Sequence, residues 1–186
     1  KGSDIIILCL YVDDVWVAFS SRKMFDEFDI DIRKQFEFGP ATPLRRSLGI
    51  DVTISEDNKV VSIDQNEYVH GMLEQWNATE AASQELPVSP GTDFSPSTEQ
   101  EFALAKHLPY RELVGGLLYA TLTVLEIQWA VNQLTRHFHR WSTRMWDVAR
   151  QVLRYLKGRP DQRITYRHGH EQAQELIGWA DADYAG

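Results

Sequence analysis

Asp13 and Asp14 are adjacent carboxylates set between two apolar runs, residues 5–12 and 15–18. Two like charges about 4 Å apart repel by roughly 4 kcal/mol at an effective dielectric near 20. A fold that holds them side by side calls for a counter-charge, and a divalent cation is the most economical one. Hard, oxygen-rich ligands suit magnesium or manganese. The plainer reading is a solvated turn that carries two acids and no ligand.

Two apolar runs separated by two residues predict a β-hairpin with the acids at its tip. Cys9 lies in the first run and is expected as a core filler. After the hairpin, Ser20-Ser21 offers an N-cap. Phe25, Phe28, Ile32 and Phe36 then recur at three and four residues, which predicts a helix over 22–36 ended by Gly39-Pro40. Asp26, Glu27, Asp29 and Asp31 give it a wet acidic face. Ile50, Val52 and Ile54, then Val61 and Ile63, alternate with polar residues about the turn at 56–59. This predicts a second antiparallel hairpin with one buried face. Gly49, just before it, reads as a bulge or a bend. Asp64 and Glu67 read as a capping pair for a helix with the stripe Val69, Met72, Leu73 and Trp76.

Pro87, Pro90, Pro96 and Pro109 mark residues 83–109 as a long connection, with a short helical turn at 99–106. Residues 110–157 predict two or three helices. In the first, Gly115-Gly116 leaves room for another backbone to approach. The last carries Trp146, Ala149, Val152, Leu153 and Leu156 on one face and Arg150, Arg154 and Lys157 on the other. Gly158 and Pro160 stop it.

The net charge of −8 over 186 residues argues against a generic nucleic-acid binder. Its distribution is uneven. Residues 136–167 hold nine Lys/Arg against two Asp, a net +7, which leaves −15 for the rest. Such a block is either a phosphate-binding strip or a solvated helix face. A single cysteine forms no internal disulfide and points to a reducing, intracellular setting. No apolar run approaches the roughly 18 residues of a membrane span. The start reads directly into a strand, without a signal peptide or an initiator Met, which suggests a piece of something longer.

Tyr11-Val12-Asp13-Asp14 between apolar strands resembles the catalytic hairpin of reverse transcriptases. Further motifs narrow the likeness to copia-type long-terminal-repeat retrotransposon polyproteins. They are Leu48-Gly49-Ile50, Gln65–Val69, Tyr110–Gly115, Val152–Gly158 and Gly178–Gly186, in order along the chain. The chain departs from the family at Ser47, where an aromatic residue is usual. It departs again at Thr123-Val124-Leu125-Glu126, where Thr-Arg-Pro-Asp is usual, and at Met145, where His is usual.

The resemblance implies an α+β fold. Residues 1–64 are the second half of a palm, 65–158 a helical thumb, and 159–186 the connection and first strand of a ribonuclease H-like domain. It implies an RNA-directed DNA polymerase. Asp13 and Asp14 are then catalytic ligands of two Mg2+ (or Mn2+) ions, and Asp181 is a ribonuclease H metal ligand. Tyr11, Val12, Leu48, Gly49, Arg150, Arg154 and Lys157 are expected to touch nucleic acid. The implied partners are an RNA/DNA template–primer, dNTPs and the rest of the polyprotein, with no membrane. The implied location is a cytoplasmic virus-like particle or the nucleus. The family also needs a third carboxylate on an earlier strand and fingers for the incoming nucleotide, so this chain alone is expected to be inactive. Two other readings stay open. One is a co-opted, non-catalytic remnant that binds nucleic acid or protein. The other is a zinc site at His137/His139 and His168/His170, disfavoured because alternate helix positions point apart and because no third ligand is near.

Overall fold

In the computed structural model, residues 4–169 are described. They form six α-helices and antiparallel strands, and the chain divides between Leu44 and Arg45 into two units.

In the first unit, β1 (Ile6–Tyr11) pairs with β2 (Asp14–Phe19), in register from Ile6–Phe19 to Tyr11–Asp14. Helix α1 (Arg22–Arg33) follows, with Ser21 as its N-cap. Phe25 is buried and stacks on Phe19 of β2, ring centroids 4.6 Å apart. The acidic face is laced by Arg22–Asp26, Lys23–Glu27, Arg33–Asp29 and Lys34–Asp31 ion pairs. The helix stops three residues short of the expected end. The Arg33 guanidinium reaches forward to the carbonyls of Phe38 and Gly39, and the next residues tighten into i→i+3 bonds. Cys9 is exposed rather than buried. A two-stranded ribbon with one helix against it has no second layer of its own, and Ile7, Leu8, Cys9 and Leu10 of β1 are all exposed.

The second unit joins one sheet to a helical body. The sheet order is β3 (Arg46–Ser47), β4 (Ile50–Ile54), β5 (Val60–Asp64), β6 (Arg163–Arg167), all antiparallel. The second hairpin therefore shares a unit with the helices. The expected single buried face is incomplete: Ile54 is exposed, whereas Ser62 is buried and bonds Thr165 of β6.

Helices α2 (Asn66–Gln75), α3 (Glu99–Ala105), α4 (Tyr110–Ala120), α5 (Gln128–Thr135) and α6 (Thr143–Lys157) enclose the core. Leu113, Leu117, Ile127, Leu134, Met145, Leu153 and Leu156 are fully buried there. Each contributes about 2 kcal/mol of hydrophobic stabilisation. Helix α3 opens with a capping box, Thr98 and Glu101 each bonding the other's backbone N–H. The pair expected for α2 is only half formed. Asp64 accepts from the Asn66 N–H, but Glu67 turns away to Arg46. An arginine at the start of β3 offers that carboxylate a full charge, which a backbone N–H does not. Gly116 admits side chains rather than a backbone: a Cβ there would meet Met72 Sδ at 3.1 Å and the Tyr68 hydroxyl at 3.2 Å.

Candidate active site

The first hairpin turns one residue earlier than its acids suggest. Tyr11 pairs with Asp14, so the loop is Val12-Asp13. Val12 has φ +54°. With positive φ at the first loop residue alone, this is a II′-like turn, a position that favours glycine. A β-branched residue there costs on the order of 1–3 kcal/mol. Val12 is nonetheless 83 % exposed, and Tyr11, Asp13 and Asp14 are exposed beside it. Among the described residues neither carboxylate is engaged in an ion pair. Those residues also contain no group of three or more ligating side chains. The pair therefore does not make a closed metal cage. It does fit magnesium, which takes one or two carboxylates and completes its shell with phosphate oxygens and water.

In the second unit, Leu48 (φ +50°) and Gly49 (φ +72°) form the two-residue turn between β3 and β4. Two consecutive positive φ values make it I′-like. The sequence signalled a bend at Gly49; the short strand before it carried no signal. The Tyr119 hydroxyl, from α4, donates to the Leu48 carbonyl. Tyr119 meets Tyr68 of α2 edge-on, centroids 4.8 Å apart. Burial, with Tyr119 beside it, pushes the Tyr68 phenol above its ordinary value. Arg46 is tied to Asp51 and to Glu67 of α2.

The basic stripe on α6 is not uniform. Arg150 is exposed and Arg154 is half-buried. The Arg154 carbonyl accepts from the Gln84 N–H, and its Nε is buried without a partner. The Lys157 ammonium donates to the Ala81 carbonyl at 2.6 Å. Gln151 holds the Leu86 carbonyl at 3.2 Å, so the connection runs along this helix. Arg144 also pairs with Asp93 of that connection.

His137 is buried rather than on the surface, 7 % exposed, while His139 is exposed. Burial holds the His137 imidazole below its ordinary value, partly offset by a hydrogen bond with the Phe94 backbone. Asp181, the ribonuclease H-like strand and His170 lie outside the described residues. The sequence reading assigned no role to Arg46, Tyr68 or Tyr119. Tyr119 falls just past a motif it did single out, yet nothing local links it to a turn 71 positions away.

The family model for reverse transcriptase (RNA-dependent DNA polymerase) matches residues 1–90. A Pol polyprotein from transposon TNT 1-94 of Nicotiana tabacum is 27% identical over 99% of this chain. One from transposon RE2 of Arabidopsis thaliana is 27% identical over 100% of it. The chain spans only 14% and 12% of those two relatives. An uncharacterized mitochondrial protein of Arabidopsis thaliana is 27% identical over 96% of this chain and 72% of its own length. No solved structure matches. With an exposed Tyr-Val-Asp-Asp ribbon inside the segment that the reverse transcriptase model matches and polyprotein relatives along its whole length, the chain is similar to the reverse transcriptase region of the copia-type transposon polyproteins.

Proposed function

We propose that this chain supplies the metal-binding hairpin and the primer-holding helical part of an RNA-directed DNA polymerase. One observation carries the reading: Asp13 and Asp14 stand exposed at the tip of an antiparallel ribbon. In the full polyprotein the two carboxylates hold Mg2+ or Mn2+. Held there, such ions would supply activation of a primer 3′-hydroxyl and charge stabilisation for the leaving pyrophosphate. Tyr11 and Val12 face the template–primer beside the acids. Leu48 and Gly49 lie against the primer end. Arg150 takes a backbone phosphate, with Arg154 and Lys157 secondary to it.

In this reading residues 1–64 act as palm, 65–158 as thumb and 159–186 as the approach to a ribonuclease H-like domain, where Asp181 is a metal ligand. The partners are template–primer, dNTPs and the rest of the polyprotein, in a virus-like particle or the nucleus. In this reading the polymerase needs a third carboxylate, which the described residues do not place beside Asp13 and Asp14, so the chain alone does not extend a primer. The test is primer extension with magnesium by a longer polyprotein carrying this segment. Asp13→Asn and Asp14→Asn each reduce it at least a thousandfold, and survival of activity in either variant defeats the reading.

A second reading has one observation in its favour. The mitochondrial relative is matched over 72% of its length, so a protein only about a third longer than this chain carries the same region. A free-standing remnant binds an RNA–DNA hybrid without extending it. Salt-sensitive hybrid binding without primer extension, even by a longer polyprotein segment that supplies the third carboxylate, distinguishes it.

A further inference from the structure

The turn between β3 and β4 holds Leu48 in a left-handed conformation at φ +50°. An L-residue with a bulky side chain visits that region rarely, and such a conformation persists where its surroundings impose it. The Leu48 side chain does not repay the strain by burial, since it is 46 % exposed. The constraint comes from the backbone side. The Tyr119 hydroxyl donates to the Leu48 carbonyl, and the same oxygen lies 2.7 Å from where a Gly49 Cβ would stand. One hydroxyl therefore both pins the first turn residue and occupies the space that only glycine leaves at the second.

Tyr119 is itself fixed. Its ring meets Tyr68 edge-on at 81°, and the Tyr68 hydroxyl donates to the Gly116 carbonyl at 3.1 Å, one turn back along α4. From the other side, Arg46 anchors β3 to Glu67 on α2. The turn is thus fastened to α2 and α4 together.

We propose that Tyr119 is the positioning residue of the Leu48-Gly49 turn, holding the exposed Leu48 side chain outward against the terminal sugar and base of a primer strand. What the turn touches rests on the polymerase reading; that Tyr119 sets its conformation does not.

The test uses the 186-residue chain and Tyr119→Phe, which keeps the ring and its contact with Tyr68. Amide hydrogen exchange at Gly49 and Ile50 rises about tenfold in the variant, the scale of one lost hydrogen bond, while Leu117 and Leu153 are unchanged. Tyr68→Phe, which leaves the Tyr119 hydroxyl in place, does not accelerate exchange in the turn. A recessed-end RNA–DNA hybrid binds Tyr119→Phe several-fold more weakly than the parent, while a blunt hybrid binds both alike. Unchanged exchange in Tyr119→Phe overturns the proposal. Equal acceleration in Tyr68→Phe also overturns it, since the hydroxyl is then not the cause. Altered exchange with undiminished recessed-end binding overturns the role at the primer end. If the parent binds no hybrid at all, the polymerase reading falls while the exchange result still decides what Tyr119 does.

Discussion

Tyr110 and Trp141 stack with ring centroids 5.4 Å apart, and each reaches a backbone carbonyl of a different helix. The Tyr110 hydroxyl donates to Leu134 at 2.8 Å, and Trp141 Nε1 donates to Ala105 at 2.9 Å. Burial pushes the Tyr110 phenol far above its ordinary value, so it stays a donor at any working pH. Tyr110→Phe strands a buried carbonyl and costs about 1–3 kcal/mol. Trp141→Ala costs about 3–5 kcal/mol. Urea titration of the two variants and of the double variant checks both values and their coupling.

The strained Val12 sets a second expectation. Val12→Gly relieves the positive φ and stabilises the first unit by about 1 kcal/mol, after the extra entropy of glycine is discounted. Val12→Ala gives little of that gain, because alanine keeps a Cβ at the same φ. Chemical denaturation followed at Trp16, on the paired strand, reads the difference.

Much of the helical structure in both units is legible because its signals are local. The stripe of α6, the short helix within the connection and the Ser21 cap all follow from residues within a turn or two of each other. The misses share a cause of the opposite kind. Strand β3 is two residues long and has no period to read. Glu67 had a plausible local partner and found a better one in Arg46, 21 positions away. The sequence puts the hairpin tip one residue late because apolar Val12 reads as the end of the first strand; the register closes the turn between Tyr11 and Asp14 instead. The basic stripe on α6 was visible, but its partial cover by residues 81–86 is a tertiary fact.

That cover separates the three basic residues in a hybrid-binding assay. Arg150→Ala lowers the slope of log affinity against log salt by about 1. Lys157→Ala leaves the slope nearly unchanged and instead lowers stability by about 1 kcal/mol, because its ammonium is bound to Ala81.

His137 makes stability depend on pH near neutrality. Its folded value lies below the ordinary 6.5, so below that pH the unfolded chain binds the extra proton. The contribution is complete above about pH 6.5 and falls as pH drops toward the folded value. Stability at pH 5.5 is therefore lower than at pH 7.5. His137→Gln flattens this dependence, as denaturation midpoints across that range will show.

Ser62 meets Thr165 across 103 positions of sequence, the whole helical body lying between the two strands they join. On a ribosome adding about 5–20 residues per second, β5 waits roughly 5–20 s before the strand that completes its ladder has emerged. Through that interval its outer row of amides and carbonyls is a bare template for any neighbouring nascent chain. Translation speed over the helices, which no equilibrium measurement registers, thereby governs how much of the product escapes aggregation.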